Sequence, residues 1–158
     1  MGRSYKDLVA FQRGMKLLVC VYEVTATFPR QEMYGLVAQL RRAAVSVVSQ
    51  IAEGSGRLTY GEWRQFLSQA RGSLFEVEAQ CIAATALEFL SEADHALVQR
   101  HITRTASALA GLIRWVKARQ STTRQPDNQI TRQPVTAAPP PTKQNPPAPR
   151  PRTPSHPP

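Results

Sequence analysis

The sequence predicts an all-α protein, an up-down-up-down four-helix bundle with a disordered Pro-rich C-terminal tail. Three observations carry that expectation. Apolar residues recur at helical spacing through four successive segments, and no segment shows the two-residue alternation of a strand. The connections between the segments are short. Twelve of the 13 prolines lie beyond residue 120, where the apolar residues are Ile130, Val135, Ala137, Ala138 and Ala148. The domain boundary is therefore placed at 120: a bundle over 1–120 and a tail over 121–158.

The first helix is expected to open at Ser4, with Asp7 in the capping-box position. Leu8, Phe11, Met15, Leu18, Tyr22 and Thr25 step by three and four residues and are read as its core seam. Phe28-Pro29 ends it, because the residue before proline is driven out of helical geometry. A second helix is expected from Gln31–Met33 to Glu53, with Leu36, Leu40, Ala43 or Ala44, Val47 and Ile51 inward. Gly54-Ser55-Gly56 should stop it through a left-handed end residue.

Thr59 and Glu62 form the cap of a third helix of roughly 45 Å, at about 1.5 Å per residue. Its apolar positions are Trp63, Phe66, Leu67, Ala70, Leu74, Val77, Cys81 and Ala84. Ser91 and Asp94 cap a fourth, with Val98, Ile102, Thr105, Leu109, Leu112 and Val116 inward. Beyond Arg119 the composition turns to Pro, Thr, Gln and Arg, too poor in apolar groups to offset ordering entropy.

The net charge is +9, and residues 1–120 already hold 15 basic against 10 acidic side chains. Such a surface favours anionic partners. Cys20 and Cys81 lack CxxC or paired-His neighbours and read as core thiols. With no signal-peptide pattern and no membrane-length apolar run, the expected compartment is the cytoplasm, with no membrane partner.

The sequence argues against catalysis. Glu92-x-x-His95 is the one Glu-x-x-His pair, at a helix start, where a di-metal bundle needs two in mid-bundle. His95 and His101 are six apart and point to different sides of a helix. Gly54-Ser55-Gly56-Arg57 lacks the Gly-Lys-Ser/Thr ending of a phosphate loop and follows a helix. No enzyme activity, metal or cofactor is expected.

The arginines carry more information. Arg57, Arg64 and Arg71 stand at heptad spacing, and Arg41 lies on the neighbouring second helix. These are the candidate nucleic-acid-binding residues, since a guanidinium suits bidentate phosphate contact. A plain solvated face is the competing reading of the same spacing. Arg42, Ser46 and Glu53, with Glu76 on the third helix, are read instead as a structural polar lock.

The pattern FP-x-x-E-x-YGL (Phe28, Pro29, Glu32, Tyr34, Gly35, Leu36) is followed by QLRRAAVS (Gln39–Ser46) and IAEG-x-x-R (Ile51–Gly54, Arg57). F-L-x-x-A-x-GS-L-x-E-x-E then runs from Phe66 to Glu78. Together these resemble the four-helix-bundle proteins of the 23S rRNA intervening-sequence family over about residues 5–118. Val48 and Gln50 depart from the usual second-helix motif, where small or proline residues and asparagine stand. The resemblance implies a non-enzymatic bundle that assembles into a ring, typically a homopentamer, with a basic surface. It also implies a link to the accessory variability proteins of diversity-generating retroelements, which bind a reverse transcriptase and its RNA.

Two functions from different classes follow: a nucleic-acid-binding oligomer, RNA or DNA, and an adaptor whose main partner is a reverse transcriptase. A third possibility is a bundle that only assembles.

Overall fold

A computed structural model describes residues 4–123. Helices α1 (Val9–Val24), α2 (Leu36–Ser55), α3 (Tyr60–Ala86) and α4 (Glu92–Thr123) pack each on its neighbour in sequence, and α4 closes on α1. The four-helix, all-α architecture is as the apolar periodicity predicts, and no strand occurs among the described residues. The expectation for 124–158 lies outside the described residues. No helix among them is long and apolar enough to cross a membrane.

Two of the predicted caps form on α-helices, with the acidic side chain bonding the cap hydroxyl in place of the cap amide. Thr59 Oγ1 accepts from the Glu62 amide at 3.2 Å and donates to its carboxylate at 2.8 Å. Ser91 Oγ makes the equivalent pair with Asp94, at 3.1 and 2.7 Å. The Ser4–Asp7 box also forms, yet it closes only a single 3₁₀ turn, Tyr5–Asp7. Leu8 is extended (φ −70°, ψ 123°), so α1 proper starts at Val9.

The start of the second helix differs from expectation. Arg30–Met33 is a separate 3₁₀ turn, and α2 begins at Leu36, whose amide donates to Glu32 Oε2 at 3.0 Å. A side-chain cap from the preceding turn thus replaces the Ser/Thr/Asp cap that a sequence pattern would flag.

The end of α2 also differs. Gly56 is right-handed (φ −88°, ψ 0°), and the amides of Gly56 and Arg57 bond the carbonyls of Glu53 and Gly54, tightening the last turn. Gly54 is there for closeness: a Cβ on it would meet Trp63 Cδ1 at 2.7 Å and Phe66 Cβ at 2.9 Å. The left-handed residue instead ends α3, at Glu88 (φ 59°).

The face of α1 is the largest correction. Its buried residues are Ala10, Gly14, Leu17, Cys20 and Val21, while Met15 and Tyr22 of the expected seam are 38% and 42% exposed. Thr25 of the expected seam is buried and Leu8, Phe11 and Leu18 pack on the edge of the core, but the centre of the buried stripe lies about 100° around the helix from the predicted one. The cause is close packing on α2: a Cβ on Gly14 would approach Val48 Cγ1 to 3.0 Å. Small residues let the two backbones approach, so the bulkier side chains fall to the flank.

The other helices bury what their periodicity indicates, with Leu36, Trp63, Phe66 and Leu112 only half-buried. Leu17, Leu40, Ile51, Leu67, Leu74 and Leu109 are the large side chains at the centre. Cys20 and Cys81 are free thiols in this core. Burial, aided by Cys20 and Glu78, pushes the Cys81 thiol up to about 12.

Candidate nucleic-acid interface

The bundle sorts the predicted arginines differently from their spacing. Arg41, expected to face a ligand, is half-buried and clamps α2 to the end of α1. Its Nε donates to Thr25 Oγ1 at 2.9 Å, its Nη2 reaches the Tyr22 carbonyl at 3.5 Å, and its guanidinium lies 4.6 Å from the Tyr22 ring centroid. Thr25 Oγ1 in turn donates to the Val21 carbonyl at 2.8 Å. Arg41 is thus occupied within the fold.

Arg42, expected to be structural, is exposed. So are Glu53 and Glu76, and Ser46 bonds Ser73 across the α2–α3 interface at 2.8 Å. The four residues read as a polar lock do not converge. One residue along a helix is about 100° of rotation, and that rotation exchanges the parts played by Arg41 and Arg42.

Arg57 precedes α3 and does not extend its face. It pairs with Glu53 at 3.9 Å and lies over the Phe66 ring, 4.2 Å from its centroid. Arg64 and Arg71 are exposed on α3 at the predicted heptad spacing. The structure therefore keeps Arg64 and Arg71 on one open face and separates Arg41 from them.

A larger basic surface sits on α4. From His95 to Thr123 this helix carries Arg100, Arg104, Arg114, Lys117 and Arg119, all exposed, and no acidic residue. The inward side of α4 is held by Val98, Ile102, Thr105, Leu109 and Val116, so Arg100, Arg104 and Arg114 are turned outward.

Against this surface stand Arg13 and Lys16 of α1. The imidazole of His101 reports their combined field. It is held below the ordinary histidine pKa by burial first, then by Arg104, Arg100, Lys16 and Arg13. The charged groups that lower it are all positive, although Glu23 borders the same α1–α4 groove. The Arg100/Arg104 pair is visible in the sequence as an i, i+4 spacing. Its junction with Arg13 and Lys16 is not, because α1 and α4 are the first and last helices.

At the end of the bundle where α3 begins and α4 ends, three aromatic rings meet. Tyr60 and Trp63 stack with centroids 6.3 Å apart, and Trp115 stands edge-on to both, at 6.2 and 5.7 Å. Arg119 covers Trp115, 4.1 Å from its centroid. Sequence reading places Trp63 in the core and gives Trp115 no part.

Exposed side chains of this kind offer positive charge, guanidinium forks and aromatic faces, the groups by which proteins hold phosphates and bases. No curated protein matches the chain. Residues 6–111 match the family described as 23S rRNA-intervening sequence protein, with all of α1, α2 and α3 and the greater part of α4 inside the match. The chain belongs to the 23S rRNA-intervening sequence protein family.

Proposed function

We propose that this protein is a non-enzymatic, oligomeric bundle that binds nucleic acid, RNA or DNA, through the basic surface of α4. The observation that carries the reading is the acid-free run of outward cations from Arg100 to Arg119, reinforced at its seam by Arg13 and Lys16. Arg64 and Arg71 supply further contacts from α3, and Arg57 a weaker one because Glu53 already neutralises it in part. The family name refers to 23S rRNA, which agrees with a nucleic-acid role.

Assembly draws on apolar groups of α3, where Phe75 and Ile82 continue, toward the C-terminal end, the face that Arg64 and Arg71 occupy upstream. Phe75, Ile82 and Leu87 are 59%, 55% and 56% exposed toward the C-terminal end of α3, and Gly72, upstream on the same helix, has open space where a Cβ would stand. A second copy packing there would cover apolar surface and repeat the cationic patch, raising avidity without new contact types.

Phosphate neutralisation makes binding fall with salt, with a log–log slope of about −0.7 per contact on single strands. The double variant Arg100→Glu/Arg104→Glu should flatten that slope by about 1.4, read by fluorescence anisotropy with labelled RNA. Affinity that is unchanged between about 50 and 200 mM salt would refute the proposal.

The exposed Phe75, Ile82 and Leu87 also favour a second reading, an adaptor that joins a reverse transcriptase to its RNA. A pull-down from the native host that recovers nucleic acid without a polymerase would rule that reading out.

A further inference from the structure

The aromatic end of the bundle encloses a cavity of about 520 Å³ between the Tyr5–Asp7 turn, α1, α2, α3 and α4. Tyr5, Trp63, Leu112 and Trp115 supply its flat apolar walls, and Asp7 and Ser55 its polar edge. Tyr5 and Trp115 are 37% and 44% exposed, so the cavity opens to solvent beside rings. We infer that this cavity receives one unstacked base of a single-stranded nucleic acid, so that the bundle selects single strands over duplex. This rests on the nucleic-acid reading above and names its substrate class.

Four features converge on that occupant. A planar base stacks on an aromatic wall whatever its identity, because every base has a π face. Trp63 Nε1 is enclosed with no acceptor, an unfavourable state for a buried donor. Trp63 lines the cavity while its N–H edge meets Gly54, and reorientation of the indole away from that glycine is what would bring the N–H to a base nitrogen or carbonyl. Asp7 already accepts from the Ser4 amide through Oδ2 at 3.2 Å, and its carboxylate has a second oxygen suited to an exocyclic amino group.

The fourth feature is charge. Arg57 lies over Phe66, which packs with Trp63 against Gly54, and Arg64 is one helical turn from Tyr60. Arg119 covers Trp115. Cations therefore flank the rings, in position for the phosphates on either side of an inserted base. Duplex offers the same phosphates but keeps its bases inside the stack.

The assay is favoured by composition. The chain has two tryptophans, Trp63 and Trp115, and both belong to this cluster, so selectively excited tryptophan emission reads this site. The full chain is titrated with an oligoadenylate single strand and, separately, with an RNA duplex of the same length. The single strand should quench the emission and bind about ten-fold tighter than the duplex. Trp115→Ala should abolish that preference, and Trp115→Phe, which keeps a stacking face, should retain most of it.

Far-UV circular dichroism establishes that each variant is folded. Should Trp115→Ala unfold, the wild-type quenching and Trp115→Phe decide the matter alone. Equal affinity for both forms with unchanged emission overturns the base pocket and leaves the phosphate surface standing. Binding of neither form overturns both.

Discussion

Gly54 and Gly72 sit in helices of the same bundle, and the same substitution should move them in opposite directions. Replacing glycine by alanine inside a helix removes about 1 kcal/mol of backbone-entropy cost. At Gly72 nothing lies within 4 Å of the new Cβ, so Gly72→Ala should stabilise the folded protomer by about 0.5–1 kcal/mol. At Gly54 the new methyl meets Trp63 Cδ1 at 2.7 Å and Phe66 Cβ at 2.9 Å. Carbon atoms prefer roughly 3.5–4.0 Å, so it overlaps two neighbours by the better part of an ångström. Overpacking of this kind costs about 1–3 kcal/mol, and relief by shifting is limited because Phe66 is met at its own Cβ.

The net effect of Gly54→Ala is thus a loss of up to about 2 kcal/mol, and the two variants should differ by about 0.5–3 kcal/mol. Urea unfolding followed by far-UV circular dichroism separates them by about 1 M in midpoint, for a difference near the middle of that range and a slope of about 2 kcal/mol per molar. Measurements at two protein concentrations divide protomer stability from assembly. A Gly54→Ala protein at least as stable as wild type would refute the claim that close approach, and not helix termination, explains this glycine.

Arg41→Ala should lower stability by about 1 kcal/mol, because it removes a charge-assisted bond to Thr25 in a half-buried setting, and should leave RNA affinity unchanged. Denaturant midpoints and anisotropy titrations check the two halves of that statement. Ser46→Ala should cost about 1 kcal/mol by stranding the buried Ser73 hydroxyl, whereas Ser46→Ala/Ser73→Ala together should cost less than the sum of the singles. Thermal unfolding of the four species gives the coupling.

His101 predicts a pH effect. Its folded pKa is depressed, so well above the ordinary value of about 6.5 the imidazole is neutral in both states and adds no dependence. As pH falls below that value the unfolded chain takes up the proton more readily, and stability declines until the folded pKa is passed. His101→Gln should abolish this component when midpoints at about pH 7.5 and about pH 5.5 are compared.

Helix existence, order and two of the α-helix caps were legible because they depend on neighbours in sequence. Thr59 with Glu62, and Ser91 with Asp94, need nothing from the rest of the chain. Phase was not legible for α1. Periodicity yields two candidate stripes there, and the bulkier one is misleading, since the approach of Val48 to Gly14 selects the smaller. Arg41 and Arg42 were assigned in reverse for the same reason: which neighbour faces the end of α1 depends on how α2 is rotated.

The α2 cap from Glu32 was missed because it comes from a separate turn, and no cap pattern places an acceptor there. The candidate interface divides similarly. Arg64 and Arg71 follow from local spacing. The cationic seam of Arg13, Lys16, Arg100 and Arg104, and the meeting of Trp63 with Trp115, depend on which helices become neighbours when the bundle closes.

The two core thiols have a kinetic consequence. Thiolate is the reactive form, and burial leaves Cys81, with its pKa pushed up to about 12, almost none of it at neutral pH. Cys20 is raised in the same direction, by burial first and then by Glu23 and Asp94. An alkylating reagent therefore reaches Cys81 only when the bundle opens, whereas Cys20 borders the α1–α4 groove. Cys20 lies on the α1 face of the core and Cys81 on the α3 face, so their separate labelling rates time the release of two different helices. If both cysteines label at one rate, the bundle opens as a unit; if Cys20 labels first, the α1–α4 groove gives way before the α3 face of the core. The unmodified chain thus carries its own clock for the order in which its helices come apart.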